Sequence, residues 1–246
     1  MRSLFWMMAL MAIQVSVNAQ QLEEILQSHF KAAAQEKMGK IETIITHGKN
    51  HYPMGGIESS FIIYQARPDK LRIESEFQGS EVIQTYNGEQ GWIAAPSMGM
   101  AAPKELNKNE LKSLLSQAEF ENPLWIAAKE GDSLELVETG PDYPAYHIKL
   151  TTGSGEILHF FIDRESHLIS SIRTTQVLRG TSTNITTVLK RYKSTRGIPI
   201  ARQIQTRMNG ETVTTIEIEK VEFNQKIDST LFEKPLVNPS ASPSGE

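Results

Sequence analysis

The sequence predicts an α+β fold built mainly from antiparallel β-strands. Three observations carry that prediction. Most of the 246-residue chain falls into short runs in which apolar and polar side chains alternate between turn residues. Only three stretches show the three- and four-residue apolar spacing of a helix. No linker-like composition and no internal repeat divides the body, so a single domain is expected over residues 20–233.

The first segment reads as an address rather than as part of that domain. Met1-Arg2-Ser3 supplies one positive charge, Leu4 to Val17 is almost wholly apolar, and Val17-Asn18-Ala19 is a small-x-small exit. These are the parts of a secretory signal peptide, with cleavage expected after Ala19. The apolar run is short of the roughly 20 residues that span a bilayer, which separates it from an anchor.

Residues 21–37 form the first expected helix, with Leu22, Ile25, Leu26, His29, Phe30 and Ala33 on one stripe and Gly39 as its stop. The period then changes to two. Strands are expected at 41–49, 57–66, 70–77, 81–86 and 91–95. In the third of these Leu71, Ile73, Ser75 and Phe77 alternate with Arg72, Glu74 and Glu76, giving one buried and one wet face. Asn87-Gly88 signals a tight hairpin, because both residues tolerate positive φ. Pro96-Ser97-Met98-Gly99-Met100-Ala101-Ala102-Pro103 reads as an apolar, pliable loop.

A helical insertion follows, at about residues 105–130. Asn107 with Glu110 makes a capping box ahead of Leu111, Leu114, Leu115 and Ala118. Asn122-Pro123 opens a second short helix that Gly131 stops. Strands resume at 134–138, 145–151, 156–163, 168–178, 184–193, 199–207 and 212–223. Ile216 and Ile218 have one parity, Val221 and Phe223 the other, so a bulge near Glu219–Lys220 is needed to put all four inside. The Pro/Ser-rich residues 234–246 read as a disordered tail.

The composition excludes several chemistries. There is no cysteine, which removes disulfides, thiolate metal sites, cysteine nucleophiles and thioether lipid anchors. A net charge of −4 argues against a broad nucleic-acid-binding surface. No nucleophile elbow, Walker loop, dinucleotide fingerprint or His-Glu-x-x-His occurs. His47 and His51 would be a metal pair on a helix, but on a strand they stand about 13 Å apart. His147, His159 and His167 read as strand histidines. A pair of carboxylates brought together by facing strands stays open as a glycosidase-type site. No cofactor and no metal is expected.

What stands out is an apolar surplus on strands. Phe61-Ile62-Ile63-Tyr64 and Ile157-Leu158-His159-Phe160-Phe161-Ile162 are apolar on both faces. Such strands need cover on both sides. Helices filling one face as an ordinary core are one reading. The other is a strongly curved sheet whose concave face is completed by an apolar guest such as an acyl chain.

The order of parts resembles the periplasmic outer-membrane lipoprotein-sorting carriers, the LolA/LolB-like family. Ala66-Arg67-Pro68-Asp69-Lys70-Leu71-Arg72 looks like the family's Arg-Pro-x-x-Phe/Leu turn. Asn87-Gly88, Trp92 and Pro96 resemble its Asp-Gly-x-x-x-Trp-x-x-x-Pro segment. Asp228-Ser229-Thr230-Leu231-Phe232-Glu233-Lys234-Pro235 resembles its closing Leu-Phe-x-x-Pro element. Leu71 and Asn87 depart from the commoner aromatic and Asp.

The resemblance implies an incomplete, half-open β-barrel of about 11–12 strands with helices lidding an apolar cavity. It implies a periplasmic, monomeric, non-enzymatic carrier that shields the acyl chains of lipoproteins or another lipid, with transfer partners at the inner and outer membranes. An envelope sensor or interaction module on the same fold is the alternative, and a hydrolase with an unrecognised site the third. Phe61, Ile63, Leu71, Ile73, Phe77, Trp92, Ile148, Phe160 and Ile162 are the candidate cavity residues. Strand parity sets the side of each only relative to its neighbours. Arg67, Met98, Met100 and Trp125 are the candidate lid residues. The methionines either move with the lid or plug the core. Arg67 either bonds backbone carbonyls of the lid, as the resemblance implies, or caps a surface turn.

Overall fold

The structure, a computed structural model, describes residues 19–236 except 78, 97–98, 116–117, 138–139, 141–142 and 179. The expected leader and the tail from residue 237, Met98, and the side chain of Phe77 lie outside the described residues.

Thirteen strands form one antiparallel sheet in the order β6-β5-β4-β3-β2-β1-β13-β12-β11-β10-β9-β8-β7. They are β1 Thr43–Tyr52, β2 Ile57–Ala66, β3 Lys70–Phe77, β4 Ser80–Tyr86, β5 Gly91–Ala95, β6 Met100–Glu105, β7 Ser133–Val137, β8 Ala145–Thr151, β9 Ile157–Asp163, β10 Ile169–Leu178, β11 Thr181–Thr195, β12 Ile198–Met208 and β13 Glu211–Phe223. The sheet does not close. Its edges, β6 and β7, are consecutive in the chain and are joined by the helical insertion.

Residues 19–32 form α1, followed by α2 (Gln35–Met38), α3 (Lys108–Leu115) and α4 (Pro123–Glu130). The first helix is therefore not continuous over 21–37. Ala34 adopts φ 54, and a left-handed residue breaks the ladder between α1 and α2. Nothing in the alanine run of residues 32–34 reveals that break. The capping box holds as expected: the Asn107 N–H donates to Glu110 at 2.8 Å, and the Glu110 N–H donates back to Asn107 at 3.1 Å. Asn122 caps α4, and Gly131 ends it at φ 78. No helix among the described residues is long and apolar enough to cross a membrane.

The hairpin signalled by Asn87-Gly88 joins β4 to β5, while one reading of the β4–β6 region changes. Tyr86 pairs with Gly91, leaving a four-residue turn in which only Gly88 has positive φ, while Asn87 Oδ1 accepts the N–H groups of Glu89 and Gln90. The expected methionine loop is in large part strand β6. Pro103 hid it, because proline cannot donate to a ladder, but an edge strand has one unpaired side that tolerates it.

The sequence-predicted bulge is present. His47 faces Lys220 and Gly48 faces Ile218, so Glu219 is the extra residue and Ile218, Val221 and Phe223 reach one concave surface. Gly48 is required there: a Cβ would stand 2.5 Å from both the Glu217 carbonyl and the Phe61 ring.

The concave face is covered in three parts. Against β8–β10, Ile25, Leu26 and Phe30 of α1 and Leu124 of α4 pack on Ile148, Phe160 and Ile162. Against β3–β4, Leu106 and Leu114 cover Leu71, Ile73 and Tyr86. Between these two cores lie Ile41, Ile44, Phe120, Ile198, Val221 and Phe223. On the convex side the residues after β13 cross β3 and β4 as a 3-10 turn, Ser229–Phe232. Asp228 caps it, Arg72 donates to the Leu231 carbonyl at 3.0 Å, and Asn87 donates to Glu233 at 3.0 Å.

Phe232 is only 2% exposed although it sits outside the curl. Phe232→Ala is expected to lower stability by about 3–5 kcal/mol, the usual cost of an aromatic truncation at a packed site. Urea unfolding of this variant beside wild type checks that the closing segment is part of the fold.

Candidate functional site

A cavity of about 370 Å³ lies over the middle of the sheet, between the two flanking cores. Its floor is the middle of the sheet: Ile44 and Thr46 of β1, Ile172 of β10, Leu189 of β11, Ile204 of β12, and Ile218 and Val221 of β13. Its roof is His29 of α1, Ala33 just after it, Gln35 and Met38 of α2, residues 119–122 between α3 and α4, and Pro123 at the start of α4. The floor is apolar because these strands direct one parity inward and the bulge at Glu219 keeps the last two residues of β13 in step.

Several polar groups of the lining are tied. The Tyr192 hydroxyl donates to the Ile169 carbonyl at 2.8 Å, and burial pushes its pKa up. Gln35 is buried and accepts the Asn122 N–H at 3.2 Å. Glu119 lies at the edge, where burial first, then the carboxylates of Glu121 and Glu130, push its pKa up against the opposing pull of Arg67.

Two clamps fasten the roof. Arg67 follows β2 and turns inward. Its Nε donates to the Ile41 carbonyl at 2.7 Å and its Nη2 to the Met38 carbonyl at 3.3 Å. Nη2 also pairs with Glu121 at 2.8 Å, and the guanidinium lies 4.7 Å from the centre of the Phe120 ring. One side chain thus joins the end of α2, the entry to β1 and the α3–α4 connection. A planar donor fork suits that task better than a lysine.

The second clamp is His29, 1% exposed on α1. Its Nδ1 lies 2.7 Å from the His167 carbonyl, so Nδ1 carries the proton and donates. Its Nε2 then accepts from Asn122 Nδ2 at 2.8 Å, while Asn122 Oδ1 caps α4 through the Leu124 N–H. This arrangement works only for the neutral ring. Protonation would point Nε2–H at the Asn122 amide donors. Burial is the main cause that lowers the His29 pKa, and the charge of His167 adds to it.

The sequence-predicted cavity residues are mostly interior but do not line this cavity. Ile148, Phe160 and Ile162 lie under α1 and α4, and Leu71, Ile73 and Ile63 under the α3 side. Phe61 is buried over Gly48, and Trp92 is buried on β5. Alternation identifies which side of a strand is covered, not where the cover is incomplete. Of the candidate lid residues, Arg67 reaches the roof. Trp125 packs edge-on against Phe30 with ring centres 5.0 Å apart. Met100 sits in the edge strand β6, away from the lining. Met38, Phe120 and Glu121 carry no signal of their own in the sequence, and the Asn122-Pro123 cap is the feature that marks that stretch.

The remaining histidines lie elsewhere. His47 and His51 stand on one side of β1, each beside a carboxylate: Glu222 at 3.7 Å and Glu58 at 2.8 Å. Among the described residues no three His, Asp or Glu side chains are grouped to hold a metal ion.

No family model and no curated relative matches the chain. Solved structures do. A DUF1329 family protein from Desulfovibrio piger superposes with a TM-score of 0.58 at 11% identity, over 85% of this chain and 97% of that one. A putative outer membrane lipoprotein-sorting protein domain from Vibrio parahaemolyticus gives 0.55 at 12% identity, over 87% and 97%. A LolA superfamily protein from Nitrosomonas europaea gives 0.57 at 12%, over 85% and 97%. These likenesses show the fold: the chain is a LolA-like half-open barrel, an unclosed antiparallel sheet curled over helices.

The neutral His29 clamp has a pH signature. A histidine whose folded pKa is lowered contributes full stability above its ordinary value and loses it as pH falls through the folded one. Stability should therefore decline on acidification below about pH 6.5, the ordinary histidine value. His29→Gln should be less stable at neutral pH yet show a flatter decline between pH 7 and 5. Thermal unfolding across that range checks both.

Proposed function

We propose that the protein is an exported carrier that shields acyl chains, of lipoproteins or of another lipid, in the cavity between β1/β10–β13 and the α1–α2 roof. The observation that carries this reading is an apolar hollow left in the middle of an otherwise packed concave face and roofed by separately clamped segments. Its volume falls in the range of about 300–1,000 Å³ typical of ligand sites. Each methylene buried there is worth about 0.8 kcal/mol, so about ten of them give a micromolar or tighter ligand before ordering costs. The lipoprotein-sorting likeness of the fold agrees with a carrier rather than a catalyst, and the leader pattern agrees with a periplasmic site of action. The mature chain then begins at Gln20.

The test is to purify the mature protein from its native host and identify bound lipid by mass spectrometry. Acylated peptide or phospholipid at near-stoichiometric amounts is expected for wild type, and strongly reduced amounts for Ile218→Trp, which fills the floor. An empty wild-type protein, or equal lipid in both, overturns the reading. Mass spectrometry of the same sample checks cleavage after Ala19.

Under this reading Arg67 governs opening. Charge-assisted hydrogen bonds are worth about 1.5–3 kcal/mol each, and about 1.4 kcal/mol is tenfold in an equilibrium. Arg67→Leu should fold and still bind lipid, with delivery to acceptor vesicles lowered by about tenfold or more. Delivery at the wild-type rate with unchanged stability would remove Arg67 from the mechanism.

A further inference from the structure

The convex face of β8–β12 carries Lys149, Arg173 and Arg207, three cations that the cavity does not use. Register places Lys149 opposite His159, His159 opposite Arg173, Arg173 opposite Thr186, and Thr186 opposite Arg207. Neighbouring strands are about 4.8 Å apart, so the two arginines flank Thr186 with backbones about 10 Å from each other. Like charges gathered on one face repel one another, the more so where no carboxylate lies between them. Lys149 has its carboxylate, Glu135 at 3.3 Å. Among the described residues neither Arg173 nor Arg207 has an ion-pair partner. Arg207 makes one long bond, Nη2 to Gln205 at 3.4 Å, and its buried Nε has no partner. Arg173 Cζ lies 4.2 Å from the centre of the Phe161 ring, a cation–π contact that holds the guanidinium on this face. The same positive surroundings act on His147, whose pKa is lowered by burial first, then by His159 and Arg173.

A hollow of about 470 Å³ lies over this row, and the side chains of His159, Arg173, Thr175, Asn184, Thr186 and Arg207 line it. No carboxylate is in that lining; Glu156 lines an adjoining hollow with His159 and Thr175. Two guanidinium groups, the Thr186 hydroxyl and the Asn184 amide around an open concavity match a tetrahedral oxyanion. We infer that the convex hollow between Arg173 and Arg207 binds a phosphate group. The hairpin tips beside it favour a lipid headgroup as the source. Val177 is 74% exposed, and Leu178 and Ile157 are exposed on the neighbouring strand ends. Apolar tips beside a cationic hollow are the pairing that holds a protein on an anionic bilayer surface. This site shares no side chain with the acyl cavity, so either can fail without the other.

The experiment is flotation of the mature protein with phosphatidylglycerol vesicles and with phosphatidylcholine vesicles, together with titration of inorganic phosphate followed by thermal unfolding. Wild type should float with phosphatidylglycerol, less with phosphatidylcholine, and less again at high salt. The double variant Arg173→Gln/Arg207→Gln should bind at least tenfold more weakly. In phosphate-free buffer its unfolding temperature should be equal to or above wild type, because the like-charge row is relieved; a structural role for the arginines would lower it. Lys49→Gln, on a lysine already paired with Glu219 elsewhere, should leave binding unchanged. Stabilisation by inorganic phosphate that the double variant loses, without flotation, assigns the site to a free anion. Equal behaviour of wild type and double variant in both arms overturns the site, and an equal loss in Lys49→Gln reduces it to general surface charge and overturns it too. If the double variant does not fold, Arg173→Gln, on an exposed side chain, carries the same comparison.

Discussion

One curled sheet has to keep its whole inner surface from water, and the helices available can cover only part of it. The thirteen strands direct isoleucines, leucines and phenylalanines inward along most of their length. The α1/α4 pair covers one flank and the α3 side the other. Among the described residues, the span between them is bridged by the end of α1, by α2 and by the α3–α4 connection. The cavity is therefore a consequence of geometry: a row of strands too wide for its helices. The clamps, the bulge and the outer 3-10 turn all serve this arrangement.

Both clamps converge on the same few residues. Arg67 holds Phe120 and Glu121, and His29 holds Asn122. Arg67 arrives from the end of β2 and His29 from α1, so the connection is gripped from the sheet and from the N-terminal helix together. Releasing one grip leaves the other in place. Asn122 also caps α4 with its side chain and donates its backbone N–H to Gln35 of α2, so a disturbance at His29 reaches two helices through one residue.

Much of the fold was legible because it is local. Alternation located twelve of the strands, opposite parities in β13 required the bulge at Glu219, and Asn107 with Glu110 announced the capping box. Strand β6 was hidden by Pro103, whose missing N–H matters in a central strand and not at an edge. The break at Ala34 left no mark, since alanine favours an unbroken helix. The site was less legible because its contacts are long-range. His29 meets His167 across 138 residues and Asn122 across 93. Arg67 stood out by its place beside Pro68. Its partners Phe120 and Glu121 lie in a stretch with no periodicity. The arginine row on the convex face follows only from register across five strands, which one strand's pattern does not contain.

The open seam has a further consequence. A sheet that never closes keeps two free edges, and in a crowded compartment a free edge is an invitation to polymerise with another copy. Here the two edges are poor templates. Strand β6 carries Pro103, which lacks a donor, followed by the charged Lys104 and Glu105. Strand β7 is only five residues long and carries Glu135. Short, charged and proline-containing edges resist addition of a further strand. The seam that leaves the barrel open is thus also what keeps it from growing, and the proline that obscured β6 in the sequence is part of that protection.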